Sequence, residues 1–349
     1  MTETNSRTFY VESNPSEASL TIAELHANLW VEKSTTVWVD IGMMLQLSAE
    51  AFKHIDEIRL SCVVQVPSRP GSLRSLDEII VNDNVARWLF NDSTEIRTLA
   101  RVGQSPSAKI ITYRKTALYV VPGQDAIYVA DKERVEITLP LAAIAGRDSP
   151  TCDDQGRVYI YTRFRYQAER NASGYQITSG ALRDHVFLDL RFNDARGMPA
   201  AVISRKTYLP ISIVRIFLVH HFDCAVQIAP KAQWKEYERL LERNGAELDG
   251  YFRSSSSWRR KALIHQWKLT ADHPGAGFNS LIVLNAEKLL RDKLVALFLV
   301  AIYGYLILRF GYSDGREMSK AIMDGLVAFA IAAALGLVVD FLVRITKNE

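Results

Sequence analysis

The sequence predicts a mainly β fold: an antiparallel, sandwich-like domain with a few helices, followed by a C-terminal two-helix transmembrane hairpin. Three observations predict it. Short runs rich in Val, Ile, Thr and Tyr recur over residues 8–219, with Gly, Pro, Asn and Asp turns between them. No helical pattern alternates regularly with these runs, which argues against a βαβ sheet. The C-terminal part contains two long apolar stretches.

The strand predictions follow from local pattern. Val37, Val39 and Ile41 alternate with Trp38 and Asp40, the period of a strand with two different faces. The same texture predicts strands at 20–31, 35–47, 58–66, 109–121, 126–139, 157–166, 185–192 and 210–219.

Three segments are predicted to be helical. Residues 75–78 fit a capping box in front of the segment 79–90. Residues 230–245 begin with Pro, end with Gly and place aromatic and Leu side chains on one face. Residues 279–293 are predicted to run as a helix into the first apolar stretch.

The prediction of the hairpin is based on Leu294–Leu308, fifteen residues without a charge, and on residues 321–345. A bilayer core needs about 20 mostly apolar residues of helix. We therefore predict transmembrane helices at 294–312 and 321–345, joined by a short loop at 313–320. A helical hairpin buried in a core is the alternative, but such helices normally keep a polar stripe, and Leu294–Leu308 has none.

Charge and cysteine usage predict the topology. Five Lys and Arg residues flank the outer ends of the hairpin and three lie on its loop side, which favours cytoplasmic N- and C-termini. The polar N-terminus shows no signal peptide, and three scattered cysteines suit a reducing compartment. We expect a multi-pass membrane protein, with 313–320 extracytoplasmic. Residues 1–250 would form a cytosolic domain, and 251–293, with eight basic and three acidic residues, a juxtamembrane connector.

Four common catalytic or cofactor motifs are absent: the chain has no Walker A, GxGxxG, HExxH or CxxC. His220 and His221 precede Cys224, but adjacent histidines on a strand point to opposite faces and do not converge on a metal. We predict a protein that is not an enzyme and that has no cofactor or metal.

The strand at 157–166 carries the strongest candidate for ligand binding. Its alternation places aromatic rings and guanidinium groups together on one face, which is the chemistry that stacks bases and holds phosphates. The alternative is an exposed strand whose long side chains cover each other's apolar parts. The candidate ligand-binding residues are Arg157, Tyr159, Tyr161, Arg163 and Arg165.

A second basic segment, Trp258–Lys261 with Trp267 and Lys268, lies close to the first span. Contact with anionic headgroups or a linker role is one interpretation, and ligand binding is the other.

Within the predicted spans, small residues at helical spacing favour close helix packing, and intramembrane carboxylates either reach the interface or line water. A Tyr-Gly pair in the first span either packs against a neighbouring helix or narrows a pore. The candidate assembly or pore residues are Tyr303, Gly304, Asp324, Ala328, Ala332, Gly336 and Asp340.

This layout, a β-rich domain followed by a C-terminal pair of spans, resembles bacterial membrane effectors of anti-phage defence. It is similar to the membrane subunit of the Hailong system, in which a partner nucleotidyltransferase supplies the signal. The resemblance implies a ligand-gated pore or ion channel in a bacterial inner (plasma) membrane. Because two spans cannot enclose a water-filled path alone, we expect such a pore to be a cyclic homo-oligomer. It also implies that the β-rich domain is a sensor for a nucleotide or oligonucleotide. A membrane-anchored scaffold or adaptor whose β domain binds a protein partner is the alternative.

Overall fold

The computed structural model describes only part of the chain, and every structural statement below refers to that part. It consists of residues 8–14, 20–33, 36–64, 69, 71–90, 95–100, 102, 108–113, 116–121, 126–129, 134–169, 174–179, 183–221, 224–228, 235–240, 251, 262–273, 276–287, 298, 299 and 302.

Strands dominate the described residues, and the helices are short. The strands are β1 (Tyr10–Asn14), β2 (Thr21–Lys33), β3 (Thr36–Ser48), β4 (Glu57–Val63), β5 (Arg74–Ser75), β6 (Glu95–Thr98), β7 (Lys109–Tyr113), β8 (Thr116–Val120), β9 (Ala126–Val129), β10 (Arg134–Pro140), β11 (Arg157–Gln167), β12 (Tyr175–Ser179), β13 (Arg183–Phe192), β14 (Ile211–His221), β15 (Cys224–Ile228), β16 (Lys235–Leu240), β17 (Ala262–Thr270) and β18 (Phe278–Glu287). The α-helices are α1 (Ala49–His54), α2 (Asp77–Ile80), α3 (Asp83–Phe90) and α4 (Ala200–Arg205).

A ten-stranded mixed sheet forms the centre, in the order β16-β17-β14-β2-β3-β11-β8-β7-β6, with β5 added beside β11. The long strands β2 and β3 pair antiparallel, and β11 runs antiparallel to β3 along its whole length. The β14–β2 and β11–β8 pairs are parallel. Two four-stranded sheets complete the fold, β1-β4-β10-β9 and β12-β13-β18-β15.

Both faces of the central sheet are covered. One face contributes alternate residues of β3 and β11, such as Ile41 and Ile160, to a core shared with the two smaller sheets. The opposite face packs under α2 and α3 through a second apolar cluster that includes Ile80, Phe90 and Tyr161. The mainly β prediction is confirmed, but the central sheet is mixed rather than purely antiparallel.

Two helix predictions are wrong in the described residues. Lys235–Leu240 is strand β16, paired antiparallel with β17, and Phe278–Glu287 is strand β18. Ile282 and Leu284 are buried while Leu281 is 41% exposed, which is the two-residue period of a strand. A neighbouring strand therefore overrides the helical pattern in both segments. β17 and β18 also give residues 251–293, predicted as a connector, two strands of the sheets.

The third helix prediction holds in part. Residues 77–90 form two short helices, α2 and α3, instead of one. The Asn82 side chain accepts hydrogen bonds from the backbone N–H groups of Asn84 and Val85, and so caps the start of α3.

The chain divides into two compact units, one of residues 1–179 and 185–286 and one of residues 180–184 and 287–349. In the second unit Phe298, Leu299 and Ile302 are described and helical, and Phe298 is exposed. Among the described residues, no helix combines the length and the hydropathy needed to cross a bilayer. Apart from those three residues, the predicted spans 294–312 and 321–345 and the loop 313–320 lie outside the described part.

Candidate functional site

The candidate site is the polar face of β11. Strand alternation turns Val158, Ile160 and Phe164 towards the core shared with the smaller sheets. Tyr159 and Tyr161 face the cluster under α2 and α3. The division of β11 into an apolar and a polar face, predicted from the sequence, is confirmed.

The middle of this polar face is covered rather than exposed. Tyr161, Arg163 and Arg165 are 1%, 0% and 3% exposed. A buried guanidinium is very costly unless it is paired, so the partners of both arginines decide what the site can do.

Asp40 on β3 is the central partner. It lies directly opposite Arg165 in the β3–β11 ladder and is fully buried. One of its carboxylate oxygens accepts hydrogen bonds from Arg165 Nη2 at 2.6 Å, Trp30 Nε1 at 2.9 Å and the Tyr251 hydroxyl at 2.9 Å. Arg163 Nη2 lies 3.4 Å from the same oxygen. Burial raises the pKa of this carboxyl, but the charges of Arg165 and Arg163 outweigh it and hold the pKa below its usual range.

Tyr251 packs against the cluster formed by Asp40, Arg163 and Arg165. Its backbone carbonyl accepts a hydrogen bond from Arg165 Nη1, and its ring lies 4.7 Å from the Arg165 guanidinium. The Trp30 ring is 5.4 Å from the same guanidinium. Arg165 is thus held by one carboxylate, one carbonyl and two aromatic rings, a cation–π arrangement inside the protein.

Asp77, at the start of α2, fastens that helix to β11. Its carboxylate accepts from the Arg163 backbone N–H at 2.8 Å and from the Thr162 and Ser75 hydroxyls, each at 3.1 Å. Burial dominates and raises the pKa of Asp77 to about 7, although the hydrogen bonds act in the opposite direction.

A second polar cluster continues from the first through Tyr161. The Tyr161 hydroxyl contacts Arg163 Nη1 at 3.0 Å and His26 Nδ1 at 3.0 Å. His26 Nε2 lies 2.6 Å from Glu24 Oε1, and Arg215 Nη2 donates to Glu24 Oε2 at 3.2 Å. One hydrogen-bonded chain therefore connects Asp40 on β3 with Arg215 on β14.

The pKa values of this second cluster reflect those contacts. Burial raises the pKa of Glu24, but His26 and Arg215 outweigh it and lower the value to about 2. Burial lowers the pKa of His26 although the Glu24 carboxylate opposes the shift. These charges are therefore balanced by residues of the same cluster.

The far end of β11 holds Arg157 and Tyr159. Asp153 accepts from Arg157 Nε at 2.7 Å and from the Tyr159 hydroxyl at 2.8 Å. The five candidate ligand-binding residues thus fall into separate groups: Arg163 and Arg165 at Asp40, Tyr161 bridging to His26, and Arg157 with Tyr159 at Asp153. Their role in ligand binding stays a prediction.

The same face opens to solvent beyond Arg165. Trp38 and Gln167, paired across β3 and β11, are half-buried there. Together with the segment that leads into β5 they line a groove of about 290 Å³. Its lining residues are Trp38, Arg69, Gly71, Ser72, Leu73, Arg74 and Gln167.

Trp267, grouped in the sequence with the basic segment at 258–261, is buried in the core, so it cannot contact lipid headgroups in this conformation.

The described histidines do not form a metal site. His220 Nε2 lies 2.9 Å from Nε2 of His265, a buried histidine pair between β14 and β17. In the described part of the chain, no three His, Cys, Asp or Glu residues are arranged to hold a metal ion. Segment 258–261 and the candidate pore residues, Tyr303, Gly304, Asp324, Ala328, Ala332, Gly336 and Asp340, lie outside the described part.

The sequence pattern did not identify Asp40, Trp30 and Tyr251 as partners of the arginines. One signal was present: Asp40 stands inside the run Val37–Ile41, where a charge on a buried strand requires a partner. Tyr251 gave no such signal, because its contacts with Asp40 join residues 211 positions apart in the chain.

No family model and no curated protein matches this sequence. Among solved structures, a putative protease from Parabacteroides distasonis aligns with 89% of this chain and 50% of its own, at 9% identity and a TM-score of 0.33. An M1 zinc metallopeptidase mutant from Deinococcus radiodurans aligns with 76% of this chain and 42% of its own, at 13% identity and a TM-score of 0.27. The chain thus spans half or less of these proteins, and scores this low bear on neither fold nor function.

Proposed function

We propose that this chain is an oligomeric, ligand-gated membrane effector, in which the β-rich part regulates two C-terminal spans. The observation that carries the proposal is the pair of apolar stretches, Leu294–Leu308 and residues 321–345, behind a large β-rich part. The first stretch has no charge in fifteen residues, which is the composition of a helix surrounded by lipid.

Two spans cannot enclose a water-filled path alone, so a pore requires several copies. A cyclic homo-oligomer is the simplest assembly that provides them. Ala328, Ala332 and Gly336 supply small residues at the spacing that lets helices pack closely. Asp324 and Asp340 would lie near the two ends of the second span, where carboxylates can face water.

The buried ionic network supports a regulatory role for the β-rich part. Replacing a buried ion pair by apolar residues is often neutral or stabilising, so such pairs need not be kept for stability. Packed cores change between discrete arrangements rather than gradually. A ligand that binds one arrangement better than the other would shift the population, and with it the state of the spans.

The proposed setting is bacterial anti-phage defence, with a nucleotide or oligonucleotide made by a partner nucleotidyltransferase as the signal. It rests on the resemblance in layout described above. Host cells that express the chain together with such a partner should survive phage challenge only when the spans are intact.

The membrane function can be tested with the full chain in vesicles that contain a fluorescent dye. We expect dye release with the native spans and none after both are replaced by an unrelated two-span anchor. The mass of the detergent-solubilised protein should exceed that of a dimer. Equal release from the anchor-swapped chain, or a monomeric mass, would contradict the proposal.

One observation favours a second candidate, a membrane-anchored scaffold or adaptor. β6 lies at one end of the central sheet, and three of its four residues are exposed. An exposed edge strand can pair with a strand of another protein. Retention of function in host cells after the anchor swap would favour this alternative, because a pore requires its own spans.

A further inference from the structure

We propose that the groove at the end of β11 binds a nucleotide, with Arg69 and Arg74 on its phosphate and Trp38 against its base. The inference deepens the proposed function and rests on it only for the consequence at the membrane. It also moves the ligand contacts from the buried centre of the polar face to the place where that face meets solvent.

The groove has a fixed frame. The Arg69 backbone N–H donates to the Gln167 carbonyl at 2.8 Å. The Gln167 backbone N–H donates to Ser72 Oγ at 3.0 Å, and the Ser72 hydroxyl donates to the Arg69 carbonyl at 2.7 Å. These bonds hold Arg69 and Ser72 beside the last residue of β11, so the groove exists before any ligand arrives.

Its chemistry suits a phosphate ester with a flat base. Arg69 is exposed and Arg74 is half-buried, and both residues line the groove. A guanidinium group can bind two phosphate oxygens at once, and an indole ring can stack on a base. The Gln167 side-chain amide offers both a donor and an acceptor for a base edge or a sugar.

The charge and the volume of the groove both limit the kinds of ligand that it can bind. Among the described residues that line the groove none carries a carboxylate, and the Asp40 charge is balanced by Arg163 and Arg165. The volume of about 290 Å³ lies at the small end of ligand sites. It suits one nucleotide, either free or as one unit of a short strand.

The groove is connected with the buried network through a shared acceptor. Arg74 Nη2 lies 3.5 Å from the Tyr251 carbonyl, which also accepts from Arg165. A phosphate that draws the Arg74 guanidinium into the groove would weaken the contact between Arg74 and the Tyr251 carbonyl. Occupancy of the groove would therefore be felt at Tyr251, and through its hydroxyl at Asp40.

The test is calorimetric titration of the detergent-solubilised full chain with inorganic phosphate, ATP and a thymidine hexadeoxynucleotide. Arg69→Gln should weaken binding of ATP and of the hexamer by roughly tenfold or more, because it removes a charged hydrogen bond. Trp38→Leu should weaken both by roughly tenfold while leaving phosphate binding unchanged, because it removes only stacking. The matched control is Arg59→Gln, which removes an exposed guanidinium from β4, outside the groove.

Each binding result leads to a different conclusion about the ligand. Binding of ATP alone would indicate a free nucleotide as ligand, and tighter binding of the hexamer would indicate a strand. If the wild-type chain binds none of the three probes, or if Arg69→Gln behaves like Arg59→Gln, the site is refuted. Phosphate binding equal to that of ATP, unaffected by Trp38→Leu, would refute a nucleotide site in favour of a simple anion site.

A thermal melt of each variant shows whether it folds, and a melting temperature near that of the wild type is required. Because titration measures binding without a membrane, nucleotide binding without dye release would refute the gated pore and leave the site standing.

Discussion

Replacing Asp40 by asparagine tests whether the ionic cluster under Tyr251 holds the central sheet in one arrangement. The change keeps the shape of the side chain but removes its charge. Two buried guanidinium groups, of Arg163 and Arg165, then lose the carboxylate that balances them. Removing one partner of a buried ion pair costs about 3–5 kcal/mol, so we expect Asp40→Asn to lower the free energy of unfolding by that amount.

The matched control is Glu57→Gln, which breaks an ion pair of the same chemistry on the surface. Glu57 Oε1 lies 2.5 Å from Arg59 Nε, and the Arg59 side chain is 68% exposed. Exposed pairs contribute roughly 0.2–1 kcal/mol, so this variant should be close to the wild type. The comparison isolates burial, because both variants replace a carboxylate by its amide.

The assay is urea unfolding of the full chain in detergent, followed by tryptophan fluorescence, with the free energy taken from the midpoint and slope. Arg165→Met and the double variant Asp40→Asn/Arg165→Met complete a cycle. Each single change leaves the opposite charge buried without this partner. The double variant should therefore be more stable than the sum of the single effects predicts, by more than about 1 kcal/mol. A loss below about 1 kcal/mol for Asp40→Asn, or additive effects in the cycle, would refute the reasoning.

Two further predictions concern the same sheet face. Because the folded-state pKa of Asp77 is raised to about 7, the folded protein keeps a proton that the unfolded chain releases near pH 4, so stability falls as pH rises between these values. Asp77→Asn should remove about 2–4 kcal/mol of this dependence in urea unfolding between pH 4 and pH 8, and an unchanged pH profile would contradict it. A Cβ on Gly42 would lie 2.3 Å from the Tyr161 hydroxyl and 2.8 Å from Arg163 Nη1, so Gly42→Ala should cost about 1–3 kcal/mol. Tyr161→Phe removes the clashing oxygen and should recover part of that loss in the double variant; strictly additive losses would count against the clash.

Local pattern predicted much of the β-rich part. The two-residue period of β11 correctly assigned Tyr159, Tyr161, Arg163 and Arg165 to one face, because strand geometry alone fixes which side chains share a face. It could not predict what covers that face. Arg163 and Arg165 look the same in sequence whether they face solvent or a buried carboxylate.

The two failed helix predictions have a related cause. Residues 235–240 and 278–287 carry patterns that suit either a helix or a strand, and the choice depends on a neighbour. β17 supplies that neighbour for β16, and β13 and β15 do so for β18. The pairing involves residues far apart in the chain, so no window of sequence contains it.

The sequence by itself determined the β character of the chain, the polar face of β11 and the uncharged run Leu294–Leu308, because each depends on residue spacing along one segment. Only the tertiary structure decided that Asp40 lies opposite Arg165, that Tyr251 binds both Asp40 and Arg165, and that Asp77 of α2 binds the backbone of Arg163. It also decided where the polar face reaches solvent, in the groove beside Trp38. The physical reason is that pairing across strands and burial under a distant residue are properties of the assembled fold, which sequence spacing does not encode.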